Sequence, residues 1–231
     1  MVSVKPGDVI YLDFLGKLAK DKSVFSTTLK EEAQKAGLDP ERAYKPLLIV
    51  AGKGQLPKGL DDAVIGAEVG QKKHIAISVD KAFGPRDPAK IRLIPVGEFR
   101  KRDADPFPGM PVEIDGNITG IVKSVEGGRV RVDFNDPLAG EDLEYDFTVV
   151  KCATDAASKL SLLLDGIVGL HDPAFDSSTG IAKIKVATSV RKDVDYMSNK
   201  VAFVSMALQY VEGLKKVIFE EEWAVTEKPA A

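Results

Sequence analysis

A β pattern that stops, gives way to a run of prolines and later resumes is what most limits how this chain can fold. The stretch KKHIAISV ends one strand with Ile75, Ile77 and Val79 on one side, the two-residue period of a half-buried strand. Six prolines then fall between Pro85 and Pro111, at 85, 88, 95, 106, 108 and 111. Proline cannot donate to a β ladder, so this stretch is not a central strand. Three short β runs follow, PVEI, TGIVKSV and GRVRVDF, separated by Asp115-Gly116-Asn117 and by Glu126-Gly127-Gly128. Gly and Asn accept the positive φ that tight hairpins demand. The run LEYDFTVV then restores a strand with Leu143, Tyr145, Phe147 and Val149 on one face. That strand needs a sheet, and the one it suits was begun before residue 86. Residues 87–137 therefore read as a small all-β unit inserted into a loop of a first domain, where insertion is tolerated because loop ends lie close together.

The first domain opens with GDVIYLDFLGKL, a strand by its aliphatic and aromatic content. Thr28 followed by Glu31 is a capping-box signal for a short helix near 29–36, with Gly37 as its stop. KPLLIVAGKGQ (45–55) reads as an apolar strand closed by glycines. GLDDAVIGAEVGQ puts Leu60, Ala63 and Val64 on one helical face, with Asp61 and Asp62 at the end the helix dipole favours for acids. After Thr154 the pattern changes to helix, strand, helix, strand. The first helix carries Leu160, Leu163 and Leu164 on one face, and the second is expected to bury Val201, Val204, Leu208 and Val211. Residues 154–231 are thus expected to form a third, α-β-α-β domain.

Composition narrows the functions. A formal net charge of -3 over 231 residues gives no footprint for nucleic acid or an anionic membrane. No apolar run approaches the ~18 residues of a membrane span, and Asp8, Asp13 and Lys17 break up the N-terminus, unlike a secretory signal. The lone Cys152 excludes an internal disulfide and fits a reducing cytoplasm, so a cytoplasmic protein is expected. His74 and His171 are far apart, and no metal-ligand, phosphate-loop or nucleophile-elbow motif occurs. Cys152 ends a β run and reads as an inert thiol. His74 alternates with Ile75 and Ile77 and so faces solvent. The function must work without metal, nucleophile or cofactor.

In chain order, DFLGKL, VFSTT, GKGQLPKGLDDAVIGAEVGQKK, the corner DKAFGPRD and the return VDFNDPLAGEDLEY resemble the FKBP family of peptidyl-prolyl cis/trans isomerases. They are most similar to its SlyD-like and archaeal long-type members, which carry an insert in the flap. The resemblance covers roughly residues 5–152, and the C-terminal part is similar to the tail domain of the long forms. It implies an α+β fold: an antiparallel sheet wrapped on a short helix (1–86 and 138–153), an inserted flap domain (87–137) and a C-terminal domain (154–231). It also implies isomerisation of X-Pro bonds in an apolar aromatic pocket, with chaperone activity.

Carried over residue by residue, that pocket is Phe14, Phe25, Leu47, Leu56, Leu60, Phe83 and Tyr145. Ser26 stands where the family usually has Asp, and Pro57 where it offers a backbone N–H. Ile91, Leu93, Ile94, Phe99 and Met110 are the residues expected to hold unfolded chains in the insert. The expected partners are unfolded or partly folded polypeptides with X-Pro bonds, with no cofactor, metal, nucleic acid or membrane. A homodimer through the C-terminal domain is left open. A holdase with a decayed pocket is the competing reading.

Overall fold

The computed structural model describes residues 2–114, 118–186 and 194–222, with the side chains of Ile114 and Ile118 set aside. The Asp115-Gly116-Asn117 turn expected from the sequence lies outside the described residues. In the first part of the chain come β1 (Val9–Leu18), β2 (Val24–Thr27), α1 (Lys30–Lys35), β3 (Leu47–Val50), α2 (Lys58–Val64) and β4 (Lys72–Ile77). The insert contains β5 (Ile91–Pro95), α3 (Val96–Arg100), β6 (Pro111–Ile114), β7 (Ile118–Glu126) and β8 (Arg129–Asp133). The chain closes with β9 (Leu143–Ala153), α4 (Ala156–Val168), β10 (Ala174–Asp176), β11 (Ile181–Lys185), α5 (Tyr196–Tyr210) and β12 (Lys216–Glu220).

These elements gather into two compact units. One comprises Met1–Lys17, Lys22–Ile75 and Glu144–Ala231, and the other Leu18–Asp21 and Ala76–Leu143. The first is built on a five-stranded sheet of order β2-β1-β9-β4, with β3 also paired to β1. Strand β9 alternates as its sequence dictates, burying Leu143, Tyr145, Phe147 and Val149. The described residues from 154 to 186 and from 194 to 222 pack within this same unit. Val9 and Val50 share one core with Leu160, Leu163 and Leu164 of α4 and Phe203 and Ala207 of α5. Close approach of α4 depends on Gly166, where a Cβ would come within 2.6 Å of both Leu48 Cδ2 and Tyr11 Oη. A buried ion pair, Lys159 Nζ to Asp8 Oδ1 at 3.8 Å, joins α4 to the start of β1.

Two expectations for the C-terminal region change. An extra strand, β10, pairs antiparallel with β11, which pairs parallel with β12 across α5. In α5 the buried stripe is Tyr196, Phe203 and Ala207, while Val201 is 66% and Leu208 46% exposed. Apolar residues occur on more than one side of α5, so sequence periodicity could not fix which side the core would take.

The second unit holds a four-stranded antiparallel sheet of order β5-β8-β7-β6. The proline-rich approach supplies its edge strand, with Pro95 at the strand's last position, where a missing donor is tolerated. The insert is not purely β, because α3 follows at once and buries Phe99 against Val122, Val130 and Val132. The β7–β8 hairpin turns through Gly127 and Gly128, both at positive φ (55° and 74°).

A polar clamp centred on buried Asp133 and Asn135 ties the insert's entry to its exit. Arg86 Nε donates to Asp133 Oδ2 at 2.9 Å. Asn135 donates to Asp133 Oδ1 from its backbone N (2.9 Å) and Nδ2 (2.8 Å). The Asn135 Oδ1 accepts from Asp87 N at 2.8 Å.

Candidate active site

The site grows from β1. Phe14 is fixed from both sides of its peptide. Its N–H donates to Thr28 Oγ1 at 2.9 Å, and its carbonyl accepts from Thr27 Oγ1 at 2.8 Å. Thr28 also donates to Asp13 Oδ1 at 2.8 Å. The capping box read from Thr28 and Glu31 therefore does not form. The N-cap of α1 is Leu29, with no side-chain cap, because the Thr28 hydroxyl is engaged by β1.

Two residues beyond Phe14, Gly16 pairs with Ser26 of β2. A Cβ at Gly16 would meet Phe25 Cζ at 2.7 Å and Tyr145 Cε1 at 3.0 Å. Glycine here lets two rings lie on the strand. The rings of Phe14 and Tyr145 are 5.9 Å apart and tilted by 59°, and Phe25 meets Tyr145 edge-on at 5.8 Å and 87°. Both are favourable aromatic geometries. Phe14 and Phe25 are half-buried, and Tyr145 is 3% exposed. Burial pushes the Tyr145 phenol up to about 12. Its hydroxyl makes no hydrogen bond among the described residues.

Helix α2 supplies Leu60, which is buried in the same unit. Pro57 is its N-cap, with a carbonyl that accepts from Leu60 N and Asp61 N at 2.9 Å each. Asp61, expected to serve the helix dipole, is buried and pins the preceding loop. Its carboxylate accepts from Gly52 N at 3.0 Å and Gly54 N at 2.8 Å. Gln55 Oε1 accepts from Val50 N at 2.7 Å. The loop is thus tied at both ends ahead of Leu56 and Pro57, both half-buried. Leu47 starts β3 opposite Leu12 and is 38% exposed. Ser26 is half-buried on β2 and caps no helix.

Phe83 belongs to the other unit, where it is 38% exposed. Its corner is held by Gly84 N to Val79 O (2.9 Å), Gly140 N to Gly84 O (2.8 Å) and Val79 N to Asp142 Oδ1 (2.9 Å).

In the insert, Ile94, Phe99 and Met110 line a groove of about 300 Å³ with Val112, and Glu98, Arg102 and Glu113 add charge. Ile91 and Leu93 do not line it. They alternate with Ile94 along β5 and are exposed, as is Phe107 at 60%. Phe107 was not singled out from the sequence, where Pro106 and Pro108 make it look like a loop residue.

Cys152 is half-buried, 3.7 Å from Asp8 Oδ2, and burial together with Asp8 pushes its thiol up to about 11. A thiol so held is a poor nucleophile. His74 is exposed and pairs with Asp146 at 2.9 Å. Among the described residues, no helix is long and apolar enough to cross a membrane.

The FKBP-type peptidyl-prolyl cis-trans isomerase family matches residues 2–98, and the family described as FKBP26, IF domain, matches residues 92–138. A short-type peptidyl-prolyl cis-trans isomerase of Methanocaldococcus jannaschii is 36% identical over 147 residues, 63% of this chain and 92% of that protein. The chain belongs to the FKBP-type peptidyl-prolyl cis-trans isomerases. The SlyD isomerase of Escherichia coli K12 is 31% identical over 158 residues, 67% of this chain and 79% of SlyD. SlyD of Helicobacter pylori is 27% identical over 135 residues, 57% of this chain and 72% of that protein. The chain is thus an SlyD-like FKBP-type isomerase.

Proposed function

We propose that Phe14, Phe25, Leu60 and Tyr145 hold the prolyl ring of a client polypeptide, with Ser26, Leu47, Leu56 and Pro57 completing the site. The observation that carries this reading is the three-ring cluster seated on Gly16.

Rotation about an X-Pro bond must break amide resonance, a barrier of ~18–20 kcal/mol. The planar amide has the larger charge separation, so it loses more on leaving water than the twisted one. An apolar site that binds the twisted form better lowers the barrier, at ~1.4 kcal/mol per tenfold in rate. No acid, base or covalent intermediate is needed.

The insert, expected at 87–137, would hold unfolded chains in its groove at Ile94, Phe99 and Met110, with Ile91, Leu93 and Phe107 on exposed surface. This is chaperone activity in the service of catalysis, in a reducing compartment such as the cytoplasm. Residues 154–231 would serve as the tail region. Exposed Met197, Val201 and Leu208 on one side of α5 support self-association there, which sedimentation over a range of concentrations tests. Pro57 and Ser26 favour the rival holdase reading, since each removes a polar group the family usually offers.

The deciding experiment is isomerisation of a proline tetrapeptide by the wild type and by Phe25→Ala. We expect at least a tenfold fall in kcat/KM per folded molecule. An inactive wild type would establish the holdase, and an unaffected Phe25→Ala would move the site elsewhere.

A further inference from the structure

Tyr145 has an unusual position for a phenol. Its side chain is enclosed by Phe14 and Phe25 and lies on Gly16, with 3% of the residue exposed. Burying a hydroxyl without a hydrogen bond is costly, and nearly all buried polar groups in proteins are paired. Other buried hydroxyls of this unit follow that rule: Thr28 donates to Asp13 and Tyr196 to Glu221 Oε1 at 2.9 Å. The Tyr145 hydroxyl alone of these three has no partner among the described residues. A phenylalanine would fill the same space and form the same ring contacts without that cost, so the oxygen itself calls for a role.

The surroundings restrict what that role is. Of the residues assigned to the site, Phe14, Phe25, Leu47, Leu56 and Leu60 carry no polar side-chain atom, and Pro57 has no backbone N–H. A peptide presenting proline brings carbonyl acceptors on both sides of the ring, and each loses its water on entry. Only Ser26 and Tyr145 have side-chain donors to offer in return. Ser26 is half-buried and on β2, whereas Tyr145 is 3% exposed with its ring packed on Phe14 and Phe25. Burial also keeps the phenol protonated, and therefore a donor, through neutral and mildly alkaline pH.

We infer that the Tyr145 hydroxyl is a substrate-binding group of the isomerase site, donating a hydrogen bond to a backbone carbonyl of the client beside the prolyl ring. The inference rests on the reading of the ring cluster as the proline site. It makes Tyr145 a catalytic residue that anchors the peptide while the amide turns. The contact is made in the planar and twisted states alike, so it acts on affinity more than on turnover.

The test is Tyr145→Phe, which removes one oxygen and keeps the ring. With a proline tetrapeptide, KM should rise about five- to tenfold, as expected for losing a buried hydrogen bond, and kcat should change less than twofold. Thermal stability should hold or increase, since an unpaired hydroxyl leaves the folded core. An unchanged KM overturns the inference, whatever happens to stability, because the hydroxyl would then be satisfied by something other than the client. A fall in kcat with KM unchanged overturns the anchoring role as well. Phe25→Ala, assayed alongside, separates the two levels. If Phe25→Ala impairs catalysis and Tyr145→Phe leaves KM alone, the site stands and only the hydroxyl's role falls. If neither substitution matters, the site reading fails and the inference fails with it. Should Tyr145→Phe be too unstable to assay, tetrapeptide binding followed by NMR titration on Tyr145 replaced with 3-fluorotyrosine reads the same contact, and an unperturbed fluorine signal at saturation overturns the inference.

Discussion

In the ring cluster, aromatic meets aromatic at 5.8 and 5.9 Å, Tyr145 is 3% exposed and Phe14 is fixed through both its backbone N–H and its carbonyl. The insert's groove is built differently. It is an open trough of about 300 Å³ in which Ile94 and Met110 are half-buried and Glu98, Arg102 and Glu113 stand among the apolar side chains. The contrast suits the two tasks proposed for them. Accelerating amide rotation needs walls that favour one geometry over another, since only contacts better in the twisted state speed the reaction. Holding unfolded chains needs tolerance, which an edge strand such as β5 and adaptable residues such as Met110 provide.

The largest effect should come from removing one side of this comparison. Replacing 87–137 by a short loop should leave tetrapeptide turnover within about twofold while catalysis of proline-limited protein refolding falls about 10- to 100-fold, because the insert raises the local client concentration. Both rates are measured on the same preparation. Equal losses on the two substrates would end the division of labour.

The two regions themselves were partly readable in the sequence. Strand β9 announced itself because Leu143, Tyr145, Phe147 and Val149 alternate without interruption, and the β7–β8 turn because Gly127-Gly128 has few other uses. The ring cluster was reached through resemblance, and what supports it was not seen. Gly16 looked like an interruption of a strand, yet it is the place where two rings rest. Thr28 looked like a helix cap, but the Phe14 N–H and Asp13 compete for its hydroxyl. Asp61 looked like a dipole acid, and its carboxylate holds the Gly52–Gly54 loop. In each case the residue type was informative and the partner lay far along the chain. The same limit hid the packing of α4 and α5 on Val9 and Val50, which no local pattern encodes.

Acid and alkali should tell the two regions apart. Burial raises the folded-state pKa of Tyr145 from its usual 10 to about 12. Ionisation of this group therefore leaves the fold's stability untouched below pH ~10 and lowers it as pH rises toward 12, on the order of 1–2 kcal/mol. The insert has no tyrosine in 87–137, and its sensitive group is Asp133. Burial alone would raise that carboxyl, but the backbone and side-chain donors of Asn135 and the Arg86 guanidinium outweigh it and hold it below the usual carboxylate value. Its stabilisation is present above pH ~4 and is lost as pH falls through the lowered folded value. Denaturant titrations from pH 2 to 12 should find the alkaline slope reduced in Tyr145→Phe and the acid slope reduced in Asp133→Asn. An alkaline slope unchanged in Tyr145→Phe would mean that the phenol is not enclosed.

The smallest effect concerns charge, which the cluster lacks and the groove has. Ser26 lies half-buried on β2 opposite Gly16, the glycine on which the Phe25 and Tyr145 rings rest. A hydroxyl there can exchange one hydrogen bond but brings no field. Ser26→Asp should raise kcat/KM on a tetrapeptide about two- to fivefold, since ~1 kcal/mol of preferential stabilisation of the twisted amide is about a fivefold effect. The fold should tolerate it at a cost of about 0.5–1 kcal/mol, the price of an acid on a strand, because Ser26 caps no helix and leaves no buried partner behind. Client capture by the insert should not respond, and the affinity for an unfolded chain without proline is the control that reads it. If kcat/KM stays put while the fold and the insert are intact, shape alone governs the ring cluster, and the substitution of Ser for Asp cost this isomerase nothing. A gain confined to protein substrates would instead place the new charge on the path of the chain rather than beside the turning bond.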